Sequence, residues 1–415
     1  YHSIGVLQHE LKDIPSCLQS HQRELEIRRK LPGEEQSRIA DIYHSIGVLQ
    51  HELKDIPLCL QSHQRELDIR QKLPGEEQSK IADIYNLIGV LQHELGDFTS
   101  ALDSFQFALN IRRKHFGEEH SATAQSYFSV GDIQIVLGDF HSSLSSKEKA
   151  LEIRRNLFGE DDAVTADSYI SVGVIHLRLR NYSLAIHSLQ RGLEIRLKVC
   201  GEVHLDTAES YFLLGKTQNE SGDFDPALKS VHSALHIHRK LLGEDDRITA
   251  SSYHLLGVIQ CKAGDFKSAI QSLQRELSIM RELIGENNSS VADIYRLIGI
   301  IQDKLGDFPA SLQSYQRELD IRRKLLEEKE EDPSIADSYT AIGLAQHKLG
   351  DFTSAHQSAH RALEIRKILF GDEHSDTANS YQFLAVVKGA LGDSDSARRL
   401  EQCANDIRKR LSSIS

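Results

Sequence analysis

The chain is 415 residues long, 40% hydrophobic and 27% charged, which describes a core-forming protein and excludes a disordered one. Its 49 Lys and Arg face 61 Asp and Glu, and the net charge of −12 argues against nucleic acid, whose phosphates need clustered cations. No apolar run approaches the ~18 residues of a membrane span; the longest resemble Ile298-Gly299-Ile300-Ile301.

Taken from its first residue, the chain is one unit written ten times. Tyr recurs at 1, 43, 85, 127, 169, 211, 253 and 295, always 42 apart, and again at 339 and 381. Residues 1–42 and 43–84 differ at four positions, which points to a recent duplication. We therefore read 1–415 as a single array whose repeats start at Tyr1, Tyr43, Tyr85, Tyr127, Tyr169, Tyr211, Tyr253, Tyr295, Tyr339 and Tyr381. The start, Tyr1-His2-Ser3-Ile4-Gly5, has neither an initiator Met nor a signal region and reads as a fragment of a longer protein.

Each unit predicts two helices. In helix A, Ala at −3, Tyr at 0, an aliphatic residue at +3, Gly at +4 and usually Leu at +10 mark one helical face. Gly inside a helix costs about 1 kcal/mol against Ala. The nine glycines from Gly5 to Gly343 therefore imply a neighbouring helix too close for a Cβ. A turn such as Gly306-Asp307-Phe308 ends helix A on a Gly able to turn left-handed and offers Asp as the cap of helix B. Helix B carries a small residue, a Leu and an Ile present in all ten units (Ile27 to Ile407), then stops at Gly-Glu. All seven prolines fall in turns, loops or first helical turns, where a missing N–H does no harm.

The pattern of Tyr169, Val172, Gly173, Ala185 and Gly192 resembles the tetratricopeptide (TPR) signature. The 42-residue spacing and the loop His115-Phe116-Gly117-Glu118-Glu119-His120 resemble the long units of kinesin light chains, and nephrocystin-type and NB-ARC-associated arrays are similar. The resemblance implies an all-α TPR solenoid, a right-handed superhelix of about ten helix-turn-helix repeats with helices A lining a concave groove. One hairpin cannot bury both faces, so stacked neighbours must complete each core.

Columns that stay constant between repeats are packing, and columns that vary along one stripe are candidates for recognition. Position +8 of helix A reads His9, His51, His93, Ile135, Leu177, Asn219, Cys261, Asp303 and His347. Position +9 reads Glu10, Glu52, Glu94, Val136, Arg178, Glu220, Lys262, Lys304 and Lys348, acidic early and basic late. With Phe128 and Phe212 at +1 as apolar anchors, these columns predict a site for an oppositely graded extended peptide or helix. The kinesin light chain resemblance implies an Asn pair in the two slots after Tyr, and here Asn86 alone matches. The carboxylate clamp of chaperone-type TPRs has no counterpart at Val6, Val48, Val90 and Val174.

One covariation runs along helix B. Where its small-residue slot holds Glu (Glu24, Glu66, Glu276, Glu318), the next helix A has Ile39, Ile81, Val291 or Ile335. Where it holds Ala108, Ala150, Gly192, Ala234 or Ala362, the later residue is Thr123, Thr165, Thr207, Thr249 or Thr377. Either the two columns touch, or two repeat types were duplicated intact.

Other chemistry is thin. His232, His236 and His238, and His356 with His360, have metal-chelating helical spacing, but no Cys or carboxylate set completes them, so no metal or cofactor is expected. Cys17 and Cys59 sit where other units have Ala or Ser and read as buried thiols; five cysteines without a Cys-x-x-Cys pair suggest a reducing compartment. Arg-rich helix ends such as Arg112-Arg113-Lys114 read as a solvated face favoured by the helix dipole. The acidic stretch 327–332 carries two extra residues and reads as a longer loop. There is no phosphate-binding loop and no catalytic triad context. The expected function is a cytoplasmic, non-catalytic scaffold that binds a protein or peptide. The alternatives are the sensor array of an NB-ARC-type NTPase receptor, a kinesin-light-chain-like cargo adaptor, and self-association through the first helix.

Overall fold

Each repeat from Tyr43 onward folds as the hairpin that its punctuation predicts. The computed structural model describes residues 13–30, 36–73, 78–327 and 331–414, so His9, Glu10 and the first tyrosine lie outside the described residues. Two compact units divide the chain at Glu202. The first holds α1 (Ile14–Arg28), α2 (Gln36–Glu52), α3 (Ile56–Arg70), α4 (Gln78–Glu94), α5 (Phe98–Phe116), α6 (Ser121–Val136), α7 (Phe140–Phe158), α8 (Ala163–Arg178) and α9 (Tyr182–Val199). The second holds α10 (Leu205–Ser221), α11 (Phe224–Leu242), α12 (Arg247–Lys262), α13 (Phe266–Ile284), α14 (Ser289–Leu305), α15 (Phe308–Leu325), α16 (Pro333–Lys348), α17 (Phe352–Phe370), α18 (Ser375–Ala390) and α19 (Ser394–Ile414). Even-numbered helices are helix A of their repeats and odd-numbered ones helix B. No strand occurs among the described residues.

Short polar signals set the ends of these helices. Asp97, Asp139, Asp265 and Asp351 each accept a hydrogen bond from the backbone N–H three residues on, capping α5, α7, α13 and α17. The glycine before each Asp takes positive φ, +78° at Gly96 for example, a region closed to most side chains. Lys54 and Arg180 occupy the same turn position with φ of 60°. At the other end of the hairpin, Thr123, Thr165, Thr249 and Thr377 donate to the carbonyls of Gly117, Gly159, Gly243 and Gly371.

The helical glycines mark where helix B crosses helix A of its own repeat. A Cβ on Gly131 would lie 2.8 Å from Lys147 Cγ, one on Gly173 2.7 Å from Leu189 Cγ, and one on Gly299 2.6 Å from Tyr315 Cε1. At Gly343 the crossing residue is Ala359, and Phe383 of the following α18 fills the space instead, 2.9 Å away. The cores join neighbouring hairpins. Ala101, Phe105 and Leu109 of α5 pack with Ala124, Tyr127, Val130 and Ile133 of α6 and with Ala150 and Ile153 of α7. In the second unit, Leu273 and Met280 pack with Val291, Ile298 and Ile301 and with Ile321 of the next helix B.

The Arg-rich ends of helix B correct the reading of a wholly solvated face. Arg112 is buried and reaches two helices: its Nη2 donates to Asp83 Oδ1 of α4 at 2.7 Å, and its Nη1 to Ser126 Oγ of α6 at 2.8 Å. Arg366 repeats this with Asp337 and Ser380, and Arg154 with Gln125 and Ser168. In these three hairpins one guanidinium thus ties its own helix A to the next, while His238 and Met280 stand in its place in two others.

Candidate functional site

The variable columns of helix A fall into two kinds once the side chains are placed. In the first unit, His51, Glu52, His93 and Glu94 are exposed at the ends of α2 and α4, with His51 Nε2 3.8 Å from Glu94 Oε2. Arg178 is exposed at the end of α8. Phe128 is half-buried, with Lys147 Nζ 3.0 Å from its ring centroid and Arg154 Cζ at 4.3 Å. Its face is already occupied by two cations of its own hairpin.

In the second unit, Lys262, Lys304 and Lys348 are exposed at the ends of α12, α14 and α16. Asp303 is half-buried and accepts from the Tyr315 hydroxyl at 2.9 Å, while His347 packs on Phe352 with ring centroids 5.3 Å apart. Phe212 and Lys262 come together in one concavity of about 570 Å³ across α10, α12 and α14. Leu255, Val258, Met280 and Ile294 give it an apolar wall, and Lys216 and Arg247 join Lys262 at its edge.

The charges in this concavity are unevenly satisfied. Glu276 is held by His254, 3.0 Å away, and Asp293 by Arg322 Nη2 at 2.7 Å. Lys216, Arg247 and Lys262 have no ion pair among the described residues, and of the lining acids Glu220 alone is equally free. Asn219 is buried, and its Oδ1 has no hydrogen-bond partner among the described residues. Lys216 and Arg247 were not among the expected site residues, and Asn219 entered only as a member of the variable +8 column. Lys216 stands out only, with Asp132, as a charged residue in a column of aliphatic ones, and Arg247 lies before the stripe, brought in by the helix crossing.

Position +1 follows a rule that column reading missed. It faces helix B 22 residues on, in the small-residue slot. His44 Nδ1 lies 3.1 Å from Glu66 Oε2, His254 Nδ1 3.0 Å from Glu276 Oε2, and Arg296 Nη1 donates to Glu318 Oε1 at 3.3 Å. Burial drives the Glu66 carboxyl upward, but hydrogen bonds from His44, His63 and Arg70 outweigh it and hold it down to about 2. The hydrogen bond to Glu276 raises the pKa of His254. Of the histidines with chelating spacing, His238 is buried with Nδ1 2.8 Å from Ser252 Oγ, the place where other repeats have Arg. The ring centroids of His356 and His360 are 6.1 Å apart on the surface of α17. Cys17 and Cys59 are buried, and burial raises the Cys59 thiol to about 11, which makes it a poor nucleophile.

No helix among the described residues is long and apolar enough to cross a membrane. No curated protein matches the chain. Among solved structures, a Signal Transduction ATPase with Numerous Domains (STAND) protein with a tetratricopeptide repeat sensor from Pyrococcus horikoshii is similar at a TM-score of 0.59 and 14% identity, covering 92% of this chain and 53% of that one. The apo form of RapI matches at a TM-score of 0.51 and 18% identity, over 69% of this chain and 99% of its own. BtubC (BKLC) from P. vanneervenii matches at 0.48 and 22%, over 55% and 92%. These likenesses concern the fold. The Tetratricopeptide repeat family matches residues 38–114, 80–155, 122–198, 222–282, 261–324 and 328–410, and with the hairpins described above this shows that the chain belongs to that family, whose repeats generally mediate protein–protein interaction.

Proposed function

We propose that the chain is a non-catalytic scaffold that holds an extended acidic segment of a partner protein in the concavity of α10, α12 and α14. The observation that carries this reading is the set of three unpaired cations, Lys216, Arg247 and Lys262, around an apolar wall containing Phe212. An apolar side chain of the partner fills the wall, and carboxylates beside it meet the cations, which steer association and set its direction. The unpaired Asn219 Oδ1 offers an acceptor to a backbone N–H of the bound segment. The exposed His51, Glu52, His93 and Glu94 belong to the same reading as a second contact region of opposite charge. A cytoplasmic location accords with five free thiols.

The test is fluorescence anisotropy of the full chain against labelled acidic peptides that carry one large apolar residue, compared with charge-reversed peptides. Lys262→Glu and Arg247→Glu should each weaken binding about tenfold or more, at roughly 1.4 kcal/mol per tenfold. Binding that survives both reversals overturns the reading. A second reading, the sensor array of a signalling ATPase, draws on the fold likeness to the Pyrococcus horikoshii protein, which covers 92% of this chain. A phosphate-binding loop elsewhere in the same protein would favour it.

A further inference from the structure

The hairpin of α2 and α3 carries a combination that, in sequence, the repeat at Tyr1 shares and the later repeats lack. His44 lies on α2, and His63 and Glu66 on α3. The Nδ1 atoms of His44 and His63 lie 3.1 and 3.0 Å from the same carboxylate oxygen, Glu66 Oε2. One ligand atom from each of the three side chains falls within 4.8 Å of the others. His63 and Glu66 are buried, and the His44 side chain is 51% exposed, so the cluster opens to solvent on one side.

We propose that His44, His63 and Glu66 form a binding site for a divalent first-row transition metal ion, held by two imidazole nitrogens and one carboxylate oxygen with the remaining positions open to water. Metal–nitrogen and metal–oxygen bonds near 2.1 Å place neighbouring ligand atoms about 3.0–3.4 Å apart, which is the spacing found around Glu66 Oε2. Imidazole with carboxylate suits this class of ion.

A structural role for the pair does not account for the third residue. The pairs His254–Glu276 and Arg296–Glu318 hold their hairpins together with Leu273 and Tyr315 at the position of His63. The repeat beginning at Tyr85 has Phe105 there, packed against Gly89 as His63 packs against Gly47. A buried imidazole in a slot that takes Phe, Leu or Tyr gives up apolar burial, and its Nδ1 adds a second bond to an oxygen already served by His44. The electrostatics also admit a cation. Arg70 meets the other carboxylate oxygen, Glu66 Oε1, at 3.0 Å, and its charge is shared with Asp41, whose Oδ1 lies 2.6 Å from Arg70 Nη2. Two carboxylates thus face one guanidinium, and the local charge before an ion binds is −1 with neutral imidazoles.

The next repeat supplies the test variants. It carries Asn86, Phe105 and Ala108 where this hairpin has His44, His63 and Glu66, so His63→Phe and His44→Asn import residues that a neighbouring hairpin already accommodates. The experiment is isothermal titration of the full chain with Zn²⁺ alone, in chelator-stripped buffer, with circular dichroism on each variant. The repeat at Tyr1 has His2, His21 and Glu24 in the same register, so the quantity read is the loss relative to the unaltered chain. Each variant should lose one equivalent of tight Zn²⁺ binding while keeping its helicity; losing a ligand should cost at least the roughly 10–100-fold that an outer-shell partner costs. His254→Asn, which breaks a His–Glu pair lacking a third ligand, should bind as the unaltered chain does. Should His63→Phe fail to fold, the exposed His44→Asn decides alone. Unchanged equivalents in a folded variant, or an equal loss in His254→Asn, would overturn the site.

Discussion

The δ1 carbon of Ile170 stands 2.6 Å from the place where a Cβ on Gly192 would be, with Cγ1 at 2.8 Å. Gly192 lies in the slot that holds Glu opposite a basic residue and Ala opposite Asn86, Phe128, Phe212, Thr340 or Gln382. A large aliphatic side chain after the repeat tyrosine therefore forces Gly on helix B. Gly192→Ala should fall short of the ~1 kcal/mol that Ala normally gains in a helix. In an Ile170→Thr background, which copies Thr340 opposite Ala362, the same change should give that gain in full. The coupling, read from urea midpoints in a double-mutant cycle, should reach at least about 0.5 kcal/mol. Additive midpoints would sink the steric account.

Two other glycines should respond with opposite signs. A Cβ on Gly257 would come within 2.8 Å of Leu273 Cγ and 3.3 Å of the Ala269 carbonyl, so Gly257→Ala should destabilise by about 1–3 kcal/mol through overpacking. Gly389 lies in α18 with Ala397 Cβ 4.0 Å away as its nearest neighbour, and Gly389→Ala should stabilise by up to about 1 kcal/mol. Thermal melts of both variants check the contrast. A loss at Gly389 equal to that at Gly257 would mean that backbone conformation, not space, selects these glycines.

The glycines were legible because each repeat solves the same crossing, so a residue that costs helix stability nine times over must be there for space. The 42-residue period, the Asp caps and the Gly turns were legible for the same reason. Pairings between columns were not. Comparison along the chain linked Glu of helix B to Ile or Val of the following helix A, and Ala or Gly to Thr. Glu66 instead bonds His44, His63 and Arg70, and Thr123 bonds the carbonyl of Gly117. The polar partners of both columns thus lie outside the covarying pair, and the column comparison did not show them. The buried role of Arg112 was hidden because a bridging guanidinium and a surface one look alike in sequence. The concavity at Phe212 and Lys262 was half legible: Arg247 enters it only because three helices converge.

Lys54 and Arg180 hold a left-handed turn that Gly96, Gly138, Gly222, Gly264, Gly306 and Gly350 hold elsewhere. Their φ of 60° brings Cβ against the backbone, at a cost of roughly 1–2 kcal/mol for most residues. Both side chains are exposed, so no burial compensates. Lys54→Gly and Arg180→Gly should each stabilise by about 0.5–1 kcal/mol, after the larger entropy that Gly loses on folding. Chemical denaturation of the single and double variants measures this. A destabilised double variant would show that these turns draw on side-chain contacts.

Lys147 should make the first unit more stable in mild alkali. Its side chain is fully buried where other repeats have Phe105, Leu189 or Val231, and it faces Asp132 Oδ1 at 2.5 Å, the Phe128 ring and the nearby Arg154. Burial lowers its pKa from the usual 10.5 to about 8, against the opposing pull of Asp132. Between these values the unfolded chain holds a proton that the folded chain has released, so folding stability rises with pH across the window and the full penalty applies below pH 8. The limiting effect is on the order of 3 kcal/mol at 1.36 kcal/mol per unit. Lys147→Leu, which copies Leu189, should stabilise at pH 7, and its advantage should shrink steadily toward pH 10. Urea midpoints of both proteins at pH 7, 8, 9 and 10 test this, because groups common to both cancel in the difference. An advantage that stays constant with pH would mean that Lys147 keeps its charge in the folded state, satisfied by Asp132 and the face of Phe128.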